Sequence, residues 1–552
     1  MPSALPPNRR SSTLRLAIAL ASACALAAAC ALTAACAGPP ASTIAVAGWN
    51  LSAATPAPKG DLQSFSWALY AEPPTLDWIS AYDYPENEID SNICTSLEEW
   101  TPQLKEVPGL AESARNPSPL TWIYDLRPGV HFSDGTRMTA ADAVFSMERT
   151  WHDPNSDWGQ IYQNVKSVTA TGPLQVTVKL LRPDAMFNQY MATSAGVVAS
   201  AAGVKAAGAS YGTSGSLDCA GPYELGSWIK GQSITLNRVS GYWGGEARST
   251  HVTFLFITDP DSLANALLTG EADGGYLIPP QSYAKLTSSG VGTLYYGQSL
   301  TTVNINIDNL KGVLGNVKVR EALSLALDRE GFVQAGLDGV GSATDSLTPR
   351  AVWAAGGPPA QAQAGPDLSG TAPDIAAATK LIKQAGATGA TVTLATSPIG
   401  PDTSLLPTAL QAAGEQIGLN VVLKTVSPDG YTALFSDAQA RAGIDMFPET
   451  YYLSISDPYD LLSAFQAGDF QNYADFSDPA YNTLISEAVA TYNTPKRLGI
   501  EARANQIAAR QLPWIPVAEW PNAMFMNKKI TGAPTSIAYM YYPWAASVGA
   551  AR

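Results

Sequence analysis

The sequence predicts an α/β protein of two or three lobes. The chain has 552 residues, which exceeds the size at which one hydrophobic core divides. Residues 122–149 have the pattern of a strand, a turn and a capped helix. Strand patterns over residues 391–395 and 421–426 flank a helix pattern over residues 405–417, and such a unit requires a parallel sheet with a right-handed crossover. The C-terminal half is therefore predicted to be an α/β lobe.

The segment over residues 122–135 begins with a strand pattern. Large side chains recur every second residue over 122–126, the period expected of a half-buried strand. Residues 130–132 are predicted as a second short strand. Asp134 and Gly135 then form a turn signal, because glycine tolerates a positive φ and aspartate can bond its own backbone.

A helix is predicted to begin after Thr139. Threonine is a favourable N-cap, and Asp142 completes a capping-box pattern that satisfies N–H groups at the start of a helix. Val144, Met147 and Trp151 follow at helical spacing. A hairpin leading into a helix occurs in many folds, so periodicity alone predicts no function here.

Two further helices are predicted near the C-terminal lobe. Residues 317–330 carry apolar side chains three and four positions apart, which indicates one amphipathic helix with its apolar face in the core. Asp374 is the predicted N-cap of a helix over residues 375–385, and Gly386 is placed to end it.

Composition and motifs argue against several classes of function. The net charge is −14 and no basic run is interleaved with aromatic residues, which argues against nucleic acid or an anionic membrane surface as a partner. His131, His152 and His251 are widely spaced, so neither a metal site nor a histidine-dependent hydrolase is predicted. The chain has no P-loop and no GxSxG motif. No cofactor is predicted; a carboxylate pair as in a glycosidase stays open, although no acid is singled out.

The N-terminus has the pattern of an export signal. Three arginines, the last at Arg15, precede an alanine-rich apolar run over residues 16–35, which ends in small residues before Cys36. Cleavage is favoured over a permanent membrane anchor, because the run contains few Leu or Ile. The stretch LTAAC resembles a bacterial lipobox in which Cys36 is lipidated, although Leu32 lies one place further upstream than usual. Ordinary signal-peptidase cleavage nearby is the alternative.

A tether and a disulfide are predicted beyond the signal. Residues 37–60 are rich in Ala, Pro, Gly and Ser, which is typical of a flexible tether. Two cysteines, Cys94 and Cys219, follow in the rest of the chain. An even number of cysteines in an exported protein suggests a disulfide, and two buried, inert thiols are the alternative.

The residue identities in the segment over 122–149 carry a family resemblance. The run LRPGVHFSDGTRMTAADAVFS over residues 126–146 closely resembles the signature of bacterial extracellular solute-binding protein family 5, the oligopeptide- and dipeptide-binding receptors of ABC importers. The stretches YWGG (242–245), ANALLTGEAD (264–273) and VKVREALSLALDRE (317–330) resemble further motifs of that family. The resemblance extends over nearly all of the exported part of the chain.

The resemblance implies a periplasmic-binding-protein fold of type II, with mixed sheets and discontinuous domains. Carried over to this chain, lobe I comprises residues 61–84, 216–298 and 523–552, lobe II comprises residues 85–215, and lobe III comprises residues 299–522. The resemblance also implies that Cys94 and Cys219 lie on neighbouring elements, which favours the disulfide.

The resemblance assigns ligand binding to two segments. One is AEPPTLD over residues 71–77, whose Glu72 would face the cleft between lobes; a solvated loop acid is the alternative. Pro73 and Pro74 donate no N–H, so an extended ligand would have to pair there with carbonyl groups or with the second segment.

The second segment is YYLSISDP over residues 451–458, and here the chain departs from the peptide-binding pattern. Receptors of the family hold the α-ammonium of a peptide with an aspartate four residues before this proline, where this chain has Ser454. A hydroxyl supplies no charge and forfeits a charge-assisted hydrogen bond of about 1.5–3 kcal/mol. Either Asp457 or Glu449 substitutes, or the ligand is a blocked peptide or a saccharide. The candidate contacts in this segment are Tyr451, Tyr452, Leu453, Ser454 and Asp457, with the tyrosines as stacking platforms or, alternatively, as ordinary strand residues.

By resemblance, the chain is predicted to be the substrate-binding subunit of an ABC importer. Such a subunit captures oligopeptides or similar solutes by hinge closure and delivers them to a membrane permease and its ATPase. The predicted location is the periplasm or the outer face of the cytoplasmic membrane, and the predicted state is a monomer without enzymatic activity. A non-transporting envelope scaffold on the same fold and a hydrolase are the alternatives, and the few histidines disfavour a nickel receptor.

Overall fold

The computed structural model describes residues 50–214, 217–357, 360, 362 and 371–552. Within these residues, three sheets of four or more strands form the framework: sheet I with seven strands, sheet II with four and sheet III with six. The predicted export signal, Cys36 and residues 37–49 of the predicted tether lie outside the described residues.

Sheet I is a mixed sheet whose strands come from distant parts of the chain. Leu62–Leu69 pairs in parallel with Ser249–Phe256 and with Gly274–Gly275, and the other neighbours are antiparallel. In spatial order the strands are Gly292–Gly297, Asn522–Asn527, Gly274–Gly275, Leu62–Leu69, Ser249–Phe256, Ser233–Arg238 and Tyr223–Ile229. One sheet thus joins the N-terminal, middle and C-terminal parts of the chain, as a discontinuous lobe would. The boundaries of the three lobes stay a prediction.

Sheet II is antiparallel and contains the strand that the sequence predicts at residues 122–126. In spatial order its strands are Ala111–Ser118, Thr121–Leu126, Gln175–Leu180 and Val165–Gly172. The strand predicted at residues 130–132 is wrong, because that stretch makes a single bridge, between His131 and Arg137. Asp134 accepts hydrogen bonds from the amide and the hydroxyl of Thr136, and this tight turn leaves too few residues for a ladder.

The helix predicted after Thr139 is confirmed as Ala140–His152. Asp142 accepts hydrogen bonds from the amide of Thr139 at 3.0 Å and from its hydroxyl at 2.7 Å. The other helices before sheet III are Tyr84–Ile93, Phe187–Tyr190, Ala201–Ala207, Pro260–Thr269 and Tyr283–Ser289.

Sheet III contains the predicted strand-helix-strand unit. Thr391–Thr396 and Asn420–Thr425 are parallel neighbours joined by the helix Pro401–Gln416. In spatial order the strands are Ser342–Ala343, Trp514–Glu519, Thr301–Ile307, Met446–Tyr452, Thr391–Thr396 and Asn420–Thr425. The other helices of this part are Val317–Ala326, Arg329–Gly336, Ile375–Ala385, Pro428–Ala433, Tyr459–Ser463, Pro479–Val489 and Thr494–Gln511. The α/β class is therefore confirmed.

Two helices replace the single helix predicted over residues 317–330. Val317–Ala326 ends before Leu327, and Asp328 then accepts a hydrogen bond from the amide of Gly331 at 2.8 Å as the N-cap of Arg329–Gly336. Aspartate favours an N-cap over a helix interior, because its short carboxylate competes for backbone N–H groups. The capping residue thus breaks the helix that the apolar spacing alone predicts.

Residues 50–60 pack on the fold, which corrects the tether prediction for this part of the chain. The amides of Ser52, Thr55 and Lys59 donate to the carbonyls of Tyr296, Ala533 and Ala550. The buried Thr55 hydroxyl also donates to the Ala533 carbonyl, at 3.1 Å. Composition suggested a flexible tether, but edge pairing and hydroxyl hydrogen bonds order these residues.

A disulfide joins Cys94 to Cys219 across 125 residues of chain, with 4.8 Å between the Cα atoms. Cys94 ends the helix Tyr84–Ile93. The backbone segments next to the two cysteines lie close together, because the Gly221 amide donates to the Ile93 carbonyl at 2.8 Å. A Cβ on Gly221 would lie 2.3 Å from that oxygen. Glycine is therefore required beside the disulfide.

No helix among the described residues is long and apolar enough to cross a membrane.

Candidate functional site

The segment over residues 451–458 leaves sheet III at the end of Met446–Tyr452. This strand pairs with Thr301–Ile307, which places Tyr452 opposite Thr301. The Tyr452 ring lies 5.0 Å from the Tyr84 ring and 6.0 Å from the Tyr82 ring, and its hydroxyl donates to the Tyr82 carbonyl. Tyr452 therefore connects sheet III to the chain just after the first strand of sheet I.

Tyr451 and Leu453 are mostly buried among neighbouring side chains. The Tyr451 ring packs edge-on against Trp514 at 5.7 Å. Tyr451 is 6% exposed and Leu453 is 1% exposed. Tyr451 also lines the small cavity described below.

Ser454 is held by an acid that the sequence reading did not single out. The Ser454 amide donates to Asp460 Oδ2 at 2.7 Å. The second oxygen, Oδ1, accepts the hydroxyl of Tyr190 at 2.6 Å. Since Tyr190 belongs to the sheet II side and Asp460 follows sheet III, this carboxylate bonds both sides at once. Burial raises the pKa of Asp460 to about 7 against the opposing effect of these two hydrogen bonds.

Asp457, which the sequence offers as a substitute for the missing acid, anchors its own loop, and its role as a ligand contact stays a prediction. Arg497 donates to Asp457 Oδ2 from Nη2 at 2.9 Å and from Nε at 3.2 Å, and both side chains are at least 95% buried. Glu501 lies 3.6 Å from Arg497 Nε. The Asp457 carboxylate is therefore engaged by an internal arginine.

Glu449 is also paired inside the protein. Its Oε2 accepts the side-chain amide of Asn306 on the neighbouring strand. Burial raises its pKa to about 7, although the Asn306 hydrogen bond opposes the rise. Both acids proposed from the sequence as substitutes, Glu449 and Asp457, therefore have internal hydrogen-bond partners.

Glu72 fastens a hairpin of sheet I. Its two oxygens accept hydrogen bonds from Trp228 Nε1 at 2.7 Å and from the Gly231 amide at 2.8 Å, and Lys230 Nζ lies 3.9 Å away. Its neighbour Pro73 is buried and Pro74 is exposed. The structure thus ties Glu72 to the turn between Tyr223–Ile229 and Ser233–Arg238 and brings Tyr82 and Tyr84, not Glu72, against Tyr452.

Asp77, at the end of the same segment, forms a bidentate pair with the signature helix. Arg149 Nη1 donates to Asp77 Oδ1 at 2.6 Å and Nη2 donates to Oδ2 at 2.5 Å. The guanidinium also stacks 4.6 Å from the Trp78 ring. Both ends of this motif therefore have internal partners.

A small cavity lies between the sheet II side and the loop after sheet III, and we call it the Asp460 cavity. It has a volume of about 80 Å³. Tyr82, Trp158 and Tyr190 line one side, and Tyr451, Ser454 and Asp460 line the other. Its remaining walls are formed by Gln160, Ile161, Gln163, Asp184, Met186, Tyr459, Ser463, Gln466, Asp469 and Gln471. Polar side chains from two parts of the chain thus converge on one cavity.

A larger cavity of about 470 Å³ opens where the chain passes between sheets I and III. Gln298 and Ser299 precede the sheet III strand Thr301–Ile307, and Glu519 and Trp520 lie where Trp514–Glu519 ends. Arg350 lines the same cavity, 3.6 Å from Glu519. This volume lies in the range of small-molecule sites. No group of three or more acidic, His or Cys side chains suited to a metal occurs in the described part of the chain.

Comparison with known proteins decides the family. A model of the bacterial extracellular solute-binding proteins, family 5 (middle part), matches residues 105–473, more than half of the chain. The chain belongs to this family. It is therefore a solute-binding protein, and its signature stretch over residues 126–146 lies inside the matched region.

Relatives match most of the length of this family 5 protein, and a solved structure matches its fold. The glutathione-binding protein GsiB of Escherichia coli O1:K1 / APEC is 25% identical over 471 residues, which cover 83% of this chain and 89% of that relative. The periplasmic oligopeptide-binding protein OppA of Escherichia coli K12 is 24% identical over 498 residues, 84% of this chain and 88% of the relative. The structure of the periplasmic binding protein DppA from Helicobacter pylori with the peptide STSA has a TM-score of 0.77 at 19% identity and covers 90% of this chain and 99% of that one. These comparisons confirm the predicted type II periplasmic-binding-protein fold.

The sequence reading missed three residues that shape this site: Asp460, Tyr190 and Tyr82. Asp460 lies two residues after the motif proline, close enough to be weighed with Asp457. Tyr190 lies 270 residues before its partner Asp460, and Tyr82 lies 370 residues before its partner Tyr452. No local pattern in the sequence could have predicted these contacts.

Proposed function

We propose that this family 5 protein captures peptide-like solutes outside the cell and passes them to the permease of an ABC importer. Solute bound between two sides of the protein favours the closed form, because contacts to both sides exist only after closure. The permease then recognises that form. The relatives named above are receptors for glutathione and oligopeptides, which supports a peptide-like solute.

The observation that carries the proposal is a pair of contacts, at and beside the Asp460 cavity, that join the sheet III loop to earlier parts of the chain. Tyr190 reaches Asp460 from one side, and Tyr452 reaches Tyr82 from the other. Polar groups enclosed at such a junction give affinity and orientation to a bound solute. Tyr451, Ser454 and the Glu72 segment are the proposed walls of the full binding cleft, with Tyr452 and Leu453 supporting them.

We infer further that the chain is exported, cleaved and lipidated at Cys36, and that it acts as a monomer. The apolar run before Cys36 and its lipobox-like end support this. A lipid on Cys36 would hold the receptor near its membrane partner. Mass spectrometry of the mature N-terminus tests the assignment: a diacylated cysteine at position 36 supports it, and an unmodified N-terminus at another residue contradicts it.

A thermal-shift screen tests the solute class. Peptides of two to eight residues, their N-acetylated forms and oligosaccharides are compared at increasing concentration. A receptor gains stability as the free solute exceeds its Kd, by about 2.7 kcal/mol at one hundred times Kd. No change in the thermal midpoint with any of the three classes would favour a non-transporting scaffold instead.

The proposal also holds that bound solute is released unchanged. A hydrolase would consume it, so prolonged incubation of the purified protein with a stabilising peptide separates the two functions. Intact peptide after days at a protein excess supports the receptor, and cleavage products that grow with protein concentration support the hydrolase.

A further inference from the structure

Three ionisable side chains are buried together where the loop after sheet III meets the helix Thr494–Gln511. Arg497 and Glu501 belong to that helix, and Asp457 belongs to the loop. Arg497 Nε lies 3.2 Å from Asp457 Oδ2 and 3.6 Å from Glu501 Oε1. The exposed fractions of the three side chains are 3% for Asp457, 5% for Arg497 and 0% for Glu501. One cation therefore faces two acids in the interior of the protein.

The two acids differ in their hydrogen bonds. Asp457 accepts two from Arg497 on Oδ2 and one from the Tyr459 amide on Oδ1, at 3.0 Å. Neither oxygen of Glu501 accepts a hydrogen bond. Burial of an ionised carboxylate without hydrogen bonds is very costly, whereas a protonated carboxyl group is neutral. The contacts therefore favour a charged Asp457 and a neutral Glu501.

The surroundings supply no second cation to balance Glu501. Among the described residues packed against the helix Thr494–Gln511, the other charged side chains have partners of their own: Arg350 with Glu519, Glu487 with Arg503, and Asp460 with Tyr190 and the Ser454 amide. Lys496 and Arg510 of the helix itself are exposed to solvent. Burial raises the pKa of Tyr459 and of Tyr481, so these two neighbours are neutral.

The same factors act on the titration of Glu501. Burial raises the pKa of Glu501 well above its usual range, the charge of Asp457 adds to the rise, and Arg497 opposes it. An acid whose pKa is raised by folding stabilises the folded state fully at a pH below its pKa in the unfolded chain. This stabilisation is lost as the pH rises through the pKa in the folded chain, so the cluster is expected to loosen on the alkaline side.

The cluster connects a proposed wall of the cleft to the sheet II side. Its loop acid belongs to the segment over residues 451–458. Arg497 Nη1 donates to the Thr491 carbonyl at 3.2 Å. The hydroxyl of the next residue, Tyr492, lies 2.9 Å from the Pro119 carbonyl in a turn of sheet II and donates to it. A change of charge at Arg497 therefore acts on the loop and on its contact with sheet II.

We propose that Glu501 is a pH switch: its carboxyl group is protonated and faces Asp457 at neutral pH, and its ionisation at alkaline pH loosens the loop after sheet III and weakens solute binding. In this step one proton passes from Glu501 to solvent, and two negative charges are left beside one guanidinium group. The effect on binding rests on the proposed function, whereas the protonation of Glu501 does not.

The first test compares the thermal midpoints, at pH 7, of Glu501→Gln and of the double variant Asp457→Asn, Glu501→Gln. Glutamine has the shape of a protonated glutamate and no charge, so the single variant is expected to stay within about 4 °C of the wild type. The double variant leaves Arg497 without an anion and is expected to fall by the order of 10 °C. A fall of that size in Glu501→Gln alone would overturn the inference, because Glu501 would then carry a charge that Arg497 needs.

The second test detects the proton directly by infrared spectroscopy at pH 7. The spectrum of the wild type minus that of Glu501→Gln is expected to show the carbonyl band of a protonated carboxyl group, and the band is expected to disappear as the pH is raised. The subtraction removes the contribution of the other buried acids, which both proteins share. A difference spectrum without this band at pH 7 would overturn the inference.

The third test measures the Kd of one stabilising peptide between pH 6 and pH 10. The Kd of the wild type is expected to rise by about 2- to 10-fold more than that of Glu501→Gln, the effect of losing one internal hydrogen bond in the loop. Equal pH dependence of the two proteins would overturn the switch while leaving the receptor function intact. Absence of peptide binding by both proteins would overturn the proposed function and with it the effect on binding, while the infrared band would still report the proton.

Discussion

The pair of Arg497 and Asp457 offers a direct test of how the loop after sheet III is held. Replacing Arg497 with Met removes the guanidinium while keeping much of the side-chain volume. Asp457 and Glu501 are then left without a cation, and their side chains are 3% and 0% exposed. Removing one partner of a buried pair costs about 3–5 kcal/mol, because the remaining charge stays desolvated.

The assay is thermal unfolding followed by tryptophan fluorescence, with Arg115→Met as the matched control. Arg115 bonds Asp125 at 2.9 Å, but the two side chains are 50% and 29% exposed, so its removal is expected to cost at most about 1 kcal/mol. A loss of 3–5 kcal/mol lowers the midpoint by the order of 10 °C in a unit of 150–250 residues. The control should fall by no more than about 4 °C.

A triple variant separates charge from packing. Replacing Asp457 and Glu501 with Leu in the Arg497→Met background leaves no buried charge and is expected to recover most of the loss, since apolar replacements of buried ion pairs are often neutral. If Arg497→Met is no more harmful than Arg115→Met, the pair does not anchor the loop, and the role assigned here to Asp457 is wrong.

Three further predictions concern the disulfide, pH and closure. The free energy of unfolding is expected to fall by about 4–5 kcal/mol in the Cys94→Ala, Cys219→Ala variant, because the disulfide closes a loop of 125 residues. Reductant should lower the urea midpoint of the wild type and leave that of the variant unchanged. Burial raises the pKa of Glu86 and Glu98 to about 8 and that of Glu99 and Glu449 to about 7. An acid whose pKa is raised by folding stabilises the folded state fully at a pH below its pKa in the unfolded chain, and this stabilisation is lost as the pH rises through 7–8. The thermal midpoint should therefore be higher at pH 5 than at pH 8.5. A midpoint that is unchanged or rises with pH would contradict the burial of these acids. Tyr452→Phe removes the hydrogen bond to the Tyr82 carbonyl and is expected to weaken peptide binding about 2- to 10-fold, whereas Tyr431→Phe, which removes a hydrogen bond to Pro448 of the adjoining strand, should leave the Kd unchanged.

Local signals predicted the elements whose causes are local. The capping pair of Thr139 and Asp142 fixes the start of the signature helix, and Asp374 caps Ile375–Ala385 as its side-chain chemistry predicts. The strand-helix-strand unit of sheet III follows from periodicity. The prediction of a single helix over residues 317–330 was wrong, because Asp328 caps a second helix and so interrupts the one that the apolar spacing predicts.

The site was less predictable, because its contacts join distant parts of the chain. Resemblance identified the loop that carries Ser454 but could not tell that Asp457 meets Arg497 in a later helix. It also could not tell that Glu72 meets Trp228, 156 residues away. Charged side chains near a motif all look available in sequence, and only the fold decides which of them an internal partner already occupies.

The central proposal is that this family 5 protein binds a peptide-like solute and releases it intact. Equilibrating the purified protein with the peptide mixture, removing unbound peptide and denaturing the complex would allow mass spectrometry to identify and count what was bound. About one uncleaved peptide per protein chain is the expected result. Recovery of no peptide, or of cleaved fragments alone, would contradict it.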